Sequence, residues 1–400
     1  MRTWRRSARS STTTAWREPR SPSPSPSCPA RGELLPPRRL EQRGALPGCG
    51  GRDGPTMQRL TLLALLLILL FPAVGGAAAG GDYCTLLLYH RVDETAHPST
   101  SISVGAFRDQ MAWIADHHLR VIPLAELTAA LARGAPPPPK SVVITFDDTY
   151  RSIYAIAAPI LAARGYPYTL FVYTEAMEAR FPDFMSWEQL AELARRPGVS
   201  LGNHGHRHRH LYGDPTWETH LRDDLTAAAH LLQARLGITP IPFAAPYGEY
   251  TLGSEEVARH LGYPVQLTQD RGNVGAETPL GRLPRNPMVG SLGSVAALAE
   301  AVAQPPLPWV ERHPDVGLLG GRTVGEIAIR LRAPEQYRPD QVNLFLSERG
   351  RLDAHFDPAT GWLRARVELP LTRPTNRITA SAQRKADHRW AVTSWRVAAP

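Results

Sequence analysis

The sequence predicts an α/β domain followed by a small all-β module, and three observations carry that prediction. Between residues 85 and 270 short apolar runs alternate with segments of helical spacing, the rhythm of repeated βα units. The run Gln304-Pro-Pro-Leu-Pro308 then breaks the pattern, as a linker does. Beyond it the chain alternates apolar and polar residues in short stretches, the period of half-buried strands.

Residues 1–56 have no apolar period and cannot bury a core: they hold eleven arginines against four acids, and include Ser21-Pro-Ser-Pro-Ser-Pro-Ser27. They are either a disordered tail or sequence upstream of a true start at Met57. The second reading is favoured because residues 57–79 have the grammar of a secretory signal peptide: Gln58-Arg59, an apolar run from Leu60 to Phe71, and small residues at Ala77-Ala-Ala79. The apolar run is shorter than the ~20 residues of a membrane-spanning helix, so no permanent transmembrane anchor is expected. The expected mature protein is exported, to the periplasm or the extracellular space. The formal net charge of +8 comes almost wholly from the tail, which argues against a nucleic-acid partner. Cys84 is the one cysteine after the cleavage point, so no intrachain disulfide forms; it reads as a small buried residue near the first strand.

The elements of the first domain follow in order. Thr85–Tyr89 is a strand ending at His90, and Phe107, Met111 and Ile114 mark a helix. Leu119–Leu124 reads as a strand, followed by a helix through Leu131. The apolar run Ser141-Val-Val-Ile-Thr-Phe146 is a strand ending in two carboxylates, Asp147 and Asp148. A helix over Ile156–Ala163, a strand over Tyr168–Tyr173 and a helix over Trp187–Ala194 come next. The strand Val199–Gly202 leads into Asn203-His204-Gly-His206-Arg-His208. This rhythm suits a barrel or an open doubly wound sheet, and both collect their chemistry at the C-terminal ends of strands.

Residues 304–321 are the expected linker and 322–400 the small β module. Glu326–Leu331, Val342–Leu346, Trp362–Leu369, Arg377–Ala382 and Trp390–Val397 are its expected strands, which suggests an antiparallel β-sandwich. Trp362, Trp390 and Trp395 either present aromatic faces to sugar or fill the module's own core.

Adjacent carboxylates at a strand end repel one another, so a positive partner is expected beside them. One carboxylate and two imidazoles would hold a divalent cation. An Asp-Asp pair alone is commonly a solvated turn, and a His-rich run alone an exposed loop. Here each lies at its own strand end, which favours a metal site. Spacing leaves the register open, because His206 and His210 repeat the separation of His204 and His208.

Thr145-Phe-Asp-Asp148, His204-x-x-x-His208 after Gly202-Asn203, and Pro246-Tyr-Gly248 resemble, in order and spacing, the first three motifs of the polysaccharide deacetylases, the NodB-homology or carbohydrate esterase family 4 domain. Leu87-Leu-Tyr-His90-Arg-Val92, Phe171-Val172 and Trp187-Glu-Gln-Leu190 resemble the branch that deacetylates poly-β-1,6-N-acetylglucosamine in biofilm matrices. The resemblance implies an incomplete (β/α)7 barrel over 82–303 with its site at the C-terminal mouth. It implies that Asp148, His204 and His208 ligate a divalent metal, Zn2+ in first place. It gives Asp147 the proton of the attacking water and the Tyr247 N–H a share of the oxyanion. His206 and His210 then lie outside the ligand set.

Two departures stand out. The arginine that usually opens the third motif and orients the catalytic Asp is absent, Phe243-Ala-Ala245 standing before Pro246. The late Leu-x-His general acid is absent too, since residues 261–312 hold no His. His90 becomes the candidate by position, and Arg285 is expected to meet substrate or pair with a carboxylate. The implied activity is metal-dependent N-deacetylation of an exported polysaccharide; chitin-like or peptidoglycan glycans, or non-catalytic polysaccharide binding, are the alternatives.

Overall fold

The computed structural model describes residues 83–399 except Leu369. The Arg/Ser/Pro-rich tail and the signal segment 57–79 lie outside the described residues.

Every strand pairing in the first domain is parallel. The sheet runs Asn286–Pro287, Cys84–Tyr89, Ser141–Phe146, Tyr168–Val172, Val199–Asn203, Pro242–Ala244, Val265–Leu267, with Arg120–Val121 pairing beside Ser141–Phe146. Among the described residues its two end strands do not pair with each other, so the barrel is open. Strands of a parallel sheet are covered on both faces and read as continuous apolar runs, and all of Ser141–Phe146 is buried. Val142, Ile144 and Phe146 pack with Phe107, Met111 and Leu170 under the outer helices, whereas Val143 packs with Leu86, Phe171 and Leu267. Side chains alternate along a strand, so Val143, Thr145 and Asp147 share the inward face and Asp147 tops that stack. The registers Tyr89↔Phe146, Phe146↔Leu170, Val172↔Asn203 and Asn203↔Phe243 bring His90, Asp147, His204 and Ala244 to one rim.

Helices carry local signals. Ser103 caps Val104–Asp116 through Ala106 N, and that helix buries Phe107, Gln110, Met111 and Ile114. Ser186 and Gln189 form a reciprocal capping box for Trp187–Ala194.

Three elements differ from the sequence expectation. Of Leu119–Leu124, only Arg120–Val121 pairs as strand, and Leu124 opens the helix Leu124–Ala132; Pro123 has no N–H to continue a ladder. The helix expected over Ile156–Ala163 begins as a π turn at Ile153–Ala157 and becomes α-helical over Ala158–Ala162, because Pro159 cannot donate to the preceding turn. The 304–321 segment, read as a linker, contains the strands Trp309–His313 and Gly317–Leu318. Its prolines sit at an edge, with Val392 N donating to Pro305 O and Leu307 N to Val392 O.

The C-terminal region consists of two mainly antiparallel sheets. One is ordered Trp309–His313, Gly325–Leu331, Trp362–Val367, Ala354–Asp357; the other Gly317–Leu318, Trp390–Ala398, Thr375–Arg384, Tyr337–Leu346, Gly350–Arg351. Ile327, Ile329 and Leu363 from the first share an apolar cluster with Leu344, Ile378 and Trp395 from the second. Leu225, Phe243 and Tyr250 of the α/β domain join the same cluster. Trp395 is fully buried and its Nε1 donates to Pro314 O at 2.9 Å, so this tryptophan fills the core. Cys84 is buried and free, its thiol pushed up to about 12 by burial.

Candidate metal and catalytic centre

Asp147 still belongs to the ladder, its N–H donating to Tyr89 O at 3.0 Å. The chain then turns at once: Asp148 and Thr149 have φ of 71° and 60°, the left-handed region that Asp tolerates better than most residues. This turn gives the adjacent carboxylates separate destinations.

The Asp147 carboxylate, fully buried, meets the guanidinium of Arg285 in a two-pronged pair, Nη1 to Oδ1 at 2.6 Å and Nη2 to Oδ2 at 2.8 Å. Arg285 is itself fully buried, with Nε donating to Thr268 O at 2.8 Å. The arginine missing from the third motif thus has a counterpart in space in Arg285, which precedes the strand Asn286–Pro287 two places from Ser141–Phe146 in the sheet. Of the two partners expected for Arg285, substrate or a carboxylate, the structure provides the carboxylate. Burial alone would push Asp147 up, but Arg285 and then His204 hold it below the usual carboxylate range.

Asp148 goes the other way. Its Oδ1 lies 3.2 Å from His204 Nε2 and 3.1 Å from His208 Nε2, and the two Nε2 atoms are 3.2 Å apart. His204 Nδ1 lies 2.7 Å from Ala244 O, so that nitrogen carries the proton and Nε2 turns a lone pair toward the carboxylate. A lone pair facing a buried carboxylate oxygen requires a positive charge between them, and Asp148 Oδ1 is buried with no hydrogen-bond partner. The donor set therefore fits a divalent cation. Without one, protons take that part: burial raises Asp148, but the two imidazoles hold it well below its ordinary value. His204 is lowered by burial and more than restored by Asp147 and Asp148.

The loop after Asn203 is built to aim these rings. Asn203 Oδ1 accepts from Gly205 N at 2.7 Å, while its Nδ2 donates to Leu225 O and Tyr263 Oη. Gly205 has φ of 82°, and a Cβ there would come within 2.2 Å of Asp224 Oδ2. Asp224, on the helix Trp217–Leu236, accepts from His206 N at 2.9 Å and Arg207 N at 2.6 Å. Glu249 accepts from Leu211 N and Tyr212 N and lies 3.0 Å from His210 Nδ1. His206 turns to Thr174 Oγ1 at 3.0 Å. His206 and His210 thus leave the cluster, and His204 and His208 enter it. Asp224 and Glu249 carry no motif of their own and were not anticipated.

His90 sits at the rim with Nδ1 buried and unpartnered. Burial lowers it, with the Asp148 and Asp147 charges opposing and those of Arg285 and His204 adding, so the ring is neutral near pH 7. Tyr247 has φ of 57°; its ring stacks on His210 at 3.7 Å and meets His208 edge-on at 4.4 Å. Arg396 of the C-terminal region donates to Tyr247 O. Tyr173 and Tyr247 flank His208, giving the cleft aromatic walls.

The profile of the family described as polysaccharide deacetylase matches residues 134–266. The chain is 28% identical over 237 residues to the poly-beta-1,6-N-acetyl-D-glucosamine N-deacetylase of Escherichia coli (strain K12), covering 49% of this chain and 35% of that protein. The chain therefore spans about a third of that relative's length. Among solved structures, IcaB from Ammonifex degensii is similar at 25% identity and a TM-score of 0.50, over 56% of this chain and 97% of that one. The Streptococcus pyogenes deacetylase PplD in complex with acetate shares the fold at 24% identity and a TM-score of 0.50, over 55% and 98%.

Proposed function

We propose, from the match of residues 134–266 to the polysaccharide deacetylase family, that the chain hydrolyses N-acetyl groups on an exported polysaccharide with the help of a divalent cation. Poly-β-1,6-N-acetyl-D-glucosamine is the assigned substrate and Zn2+ the assigned ion. The observation that carries this reading is the meeting of Asp148 Oδ1, His204 Nε2 and His208 Nε2 within 3.2 Å of one another, beside a second carboxylate locked by Arg285. The motif resemblance and the name of the Escherichia coli relative support the polymer assignment.

An amide is a weak electrophile and neutral water a weak nucleophile, so hydrolysis needs the carbonyl polarised and the water deprotonated. A cation held by Asp148, His204 and His208 would supply Lewis acidity for both. The chain's own residues do the rest. Asp147 takes the water proton at a carboxylate oxygen, its ionised form maintained by Arg285. The backbone N–H of Tyr247 stabilises charge growing on the acetyl oxygen. His90, neutral and with a free Nδ1, would take up the proton released from the attacking water and pass it to the leaving amine. The aromatic rings of Tyr173 and Tyr247 suit the apolar faces of a pyranose. Residues 57–79 act as the export signal. Among the described residues no helix is long and apolar enough to cross a membrane.

Acetate release from β-1,6-N-acetylglucosamine oligomers by metal-reconstituted protein tests the reading. Asp147→Asn is expected to abolish release while metal content stays at that of the parent, and His204→Ala to lose both. Full activity in Asp147→Asn would overturn the role of Asp147. Faster release from chitin or peptidoglycan fragments would move the substrate assignment.

A further inference from the structure

A groove of about 730 Å³ lies where the five-stranded sheet meets the α/β domain, within the ~300–1,000 Å³ of small-ligand sites. Its floor is the outward face of Tyr337–Leu346, Thr375–Arg384 and Trp390–Ala398, presenting Asn343, Phe345, Thr379, Ser381 and Trp390. The alternate residues Leu344, Ala380 and Ala391 point into the core. Arg271 and the helix end at Glu300 and Gln304 form the wall opposite.

The charges in this groove do not cancel. Arg377 spends Nη2 on Gln269 O at 3.1 Å, and its Nε is buried without a partner. Burial, with Arg396 and Arg271 adding to it against an opposing Asp270, lowers this guanidinium to about 10. Asp270 accepts from Tyr250 Oη at 2.7 Å instead of pairing with Arg377. Glu300 Oε1 accepts from Gln304 Nε2 at 3.1 Å, and Arg389 is matched by Asp387 at 2.8 Å. Neither Arg271 nor Arg377 forms an ion pair among the described residues.

We propose that this groove binds an acidic oligosaccharide, with a uronate-type carboxylate on Arg271 and Arg377 and a sugar ring on Trp390. Guanidinium favours planar carboxylate geometry. A half-buried indole offers an apolar face for the C–H side of a pyranose. Asn343, Thr379 and Ser381 offer amide and hydroxyl groups at the spacing of a sheet, suited to ring hydroxyls. The positive surplus repels the amine-bearing chains that deacetylation yields, so this site takes a ligand of different charge from that product. The proposal concerns binding alone and stands whether or not the Asp148 centre is catalytic.

The test is calorimetric titration of the full protein, at low salt, with hexagalacturonate, the neutral N-acetylglucosamine hexamer and inorganic sulfate. Hexagalacturonate is expected to bind, weakening with salt. Arg271→Gln and Trp390→Ala are each expected to weaken it about tenfold, with Trp390→Phe restoring most of the loss. Metal content and acetate release are expected to stay those of the parent in all three variants, and circular dichroism confirms their folding. No binding of hexagalacturonate at millimolar concentration, or equal binding by all variants, would overturn the proposal. Equal affinity for the neutral hexamer or for sulfate alone would overturn it as well.

Discussion

Asp147 and Asp148 are neighbours in sequence with opposite electrostatic partners, and that division sets what each can do. Asp147 is held by Arg285 through one hydrogen bond to each oxygen, so it is ionised and fixed in direction with a lone pair left on each; Asp148 is left with an oxygen that only a cation or protons satisfy. Replacing Arg285 by Met leaves a buried carboxylate uncompensated, at a cost of about 3–5 kcal/mol. Thermal unfolding is expected to shift down accordingly. In any Arg285→Met protein that folds, Asp147 loses the charge that held it low. The acid limb of kcat/KM is then expected to move to higher pH, because the base must be deprotonated to work. Arg285→Lys keeps the charge and loses the two-pronged geometry, so its limb belongs between the two.

At the scale of elements, the His204–Tyr212 loop is held by groups outside it: Asp224 at its start and Glu249 at its end. The helix Trp217–Leu236 exposes polar residues along much of its length, and the inward turn of Asp224 cannot be read from its pattern. The strand Ser141–Phe146 and the capping box at Ser186 are, by contrast, written in local sequence. Gly205→Ala would force a Cβ against Asp224 in a left-handed backbone. The expected result is a ~10–100-fold loss of metal affinity, as for other supports of metal ligands, measured by chelator competition with far-ultraviolet circular dichroism unchanged. Parent-like affinity in Gly205→Ala would show that the loop aims the rings by some other means.

For the whole molecule, metal, protons and folding are linked through His204. Its imidazole is held above its ordinary value of 6.5: burial works against this, and the neighbouring carboxylates outweigh it. In metal-free protein that stabilisation is complete below 6.5 and disappears as pH rises through the raised value. A cation needs the same nitrogen deprotonated and binds more tightly over that span. The melting-temperature difference between metal-loaded and chelator-treated protein is therefore expected to widen as pH rises above the ordinary 6.5. A difference constant with pH would count against His204 as a ligand. The two regions also share one apolar cluster, Phe243 and Tyr250 packing with Ile329 and Trp395. A chain ending at 303 would expose those side chains and is expected to lose solubility and near-ultraviolet circular dichroism.

What sequence alone determined here is whatever short range can specify: βα rhythm from apolar periodicity, strand ends from turn residues, and donor types from motif spacing. Those signals are local because they arise from dihedral preferences and the burial of consecutive side chains. Spacing left His204 and His208 equal to His206 and His210, the motif resemblance pointed to the first pair, and only tertiary structure supplies the physical reason, since Thr174 and Glu249 claim the second. It also decided that Arg285 serves Asp147 across 138 positions of chain, and that Trp395 is core while Trp390 faces a groove. Such pairings follow from the order of strands in the sheet and the stacking of its two neighbours, in which distance along the chain has no bearing on distance in space.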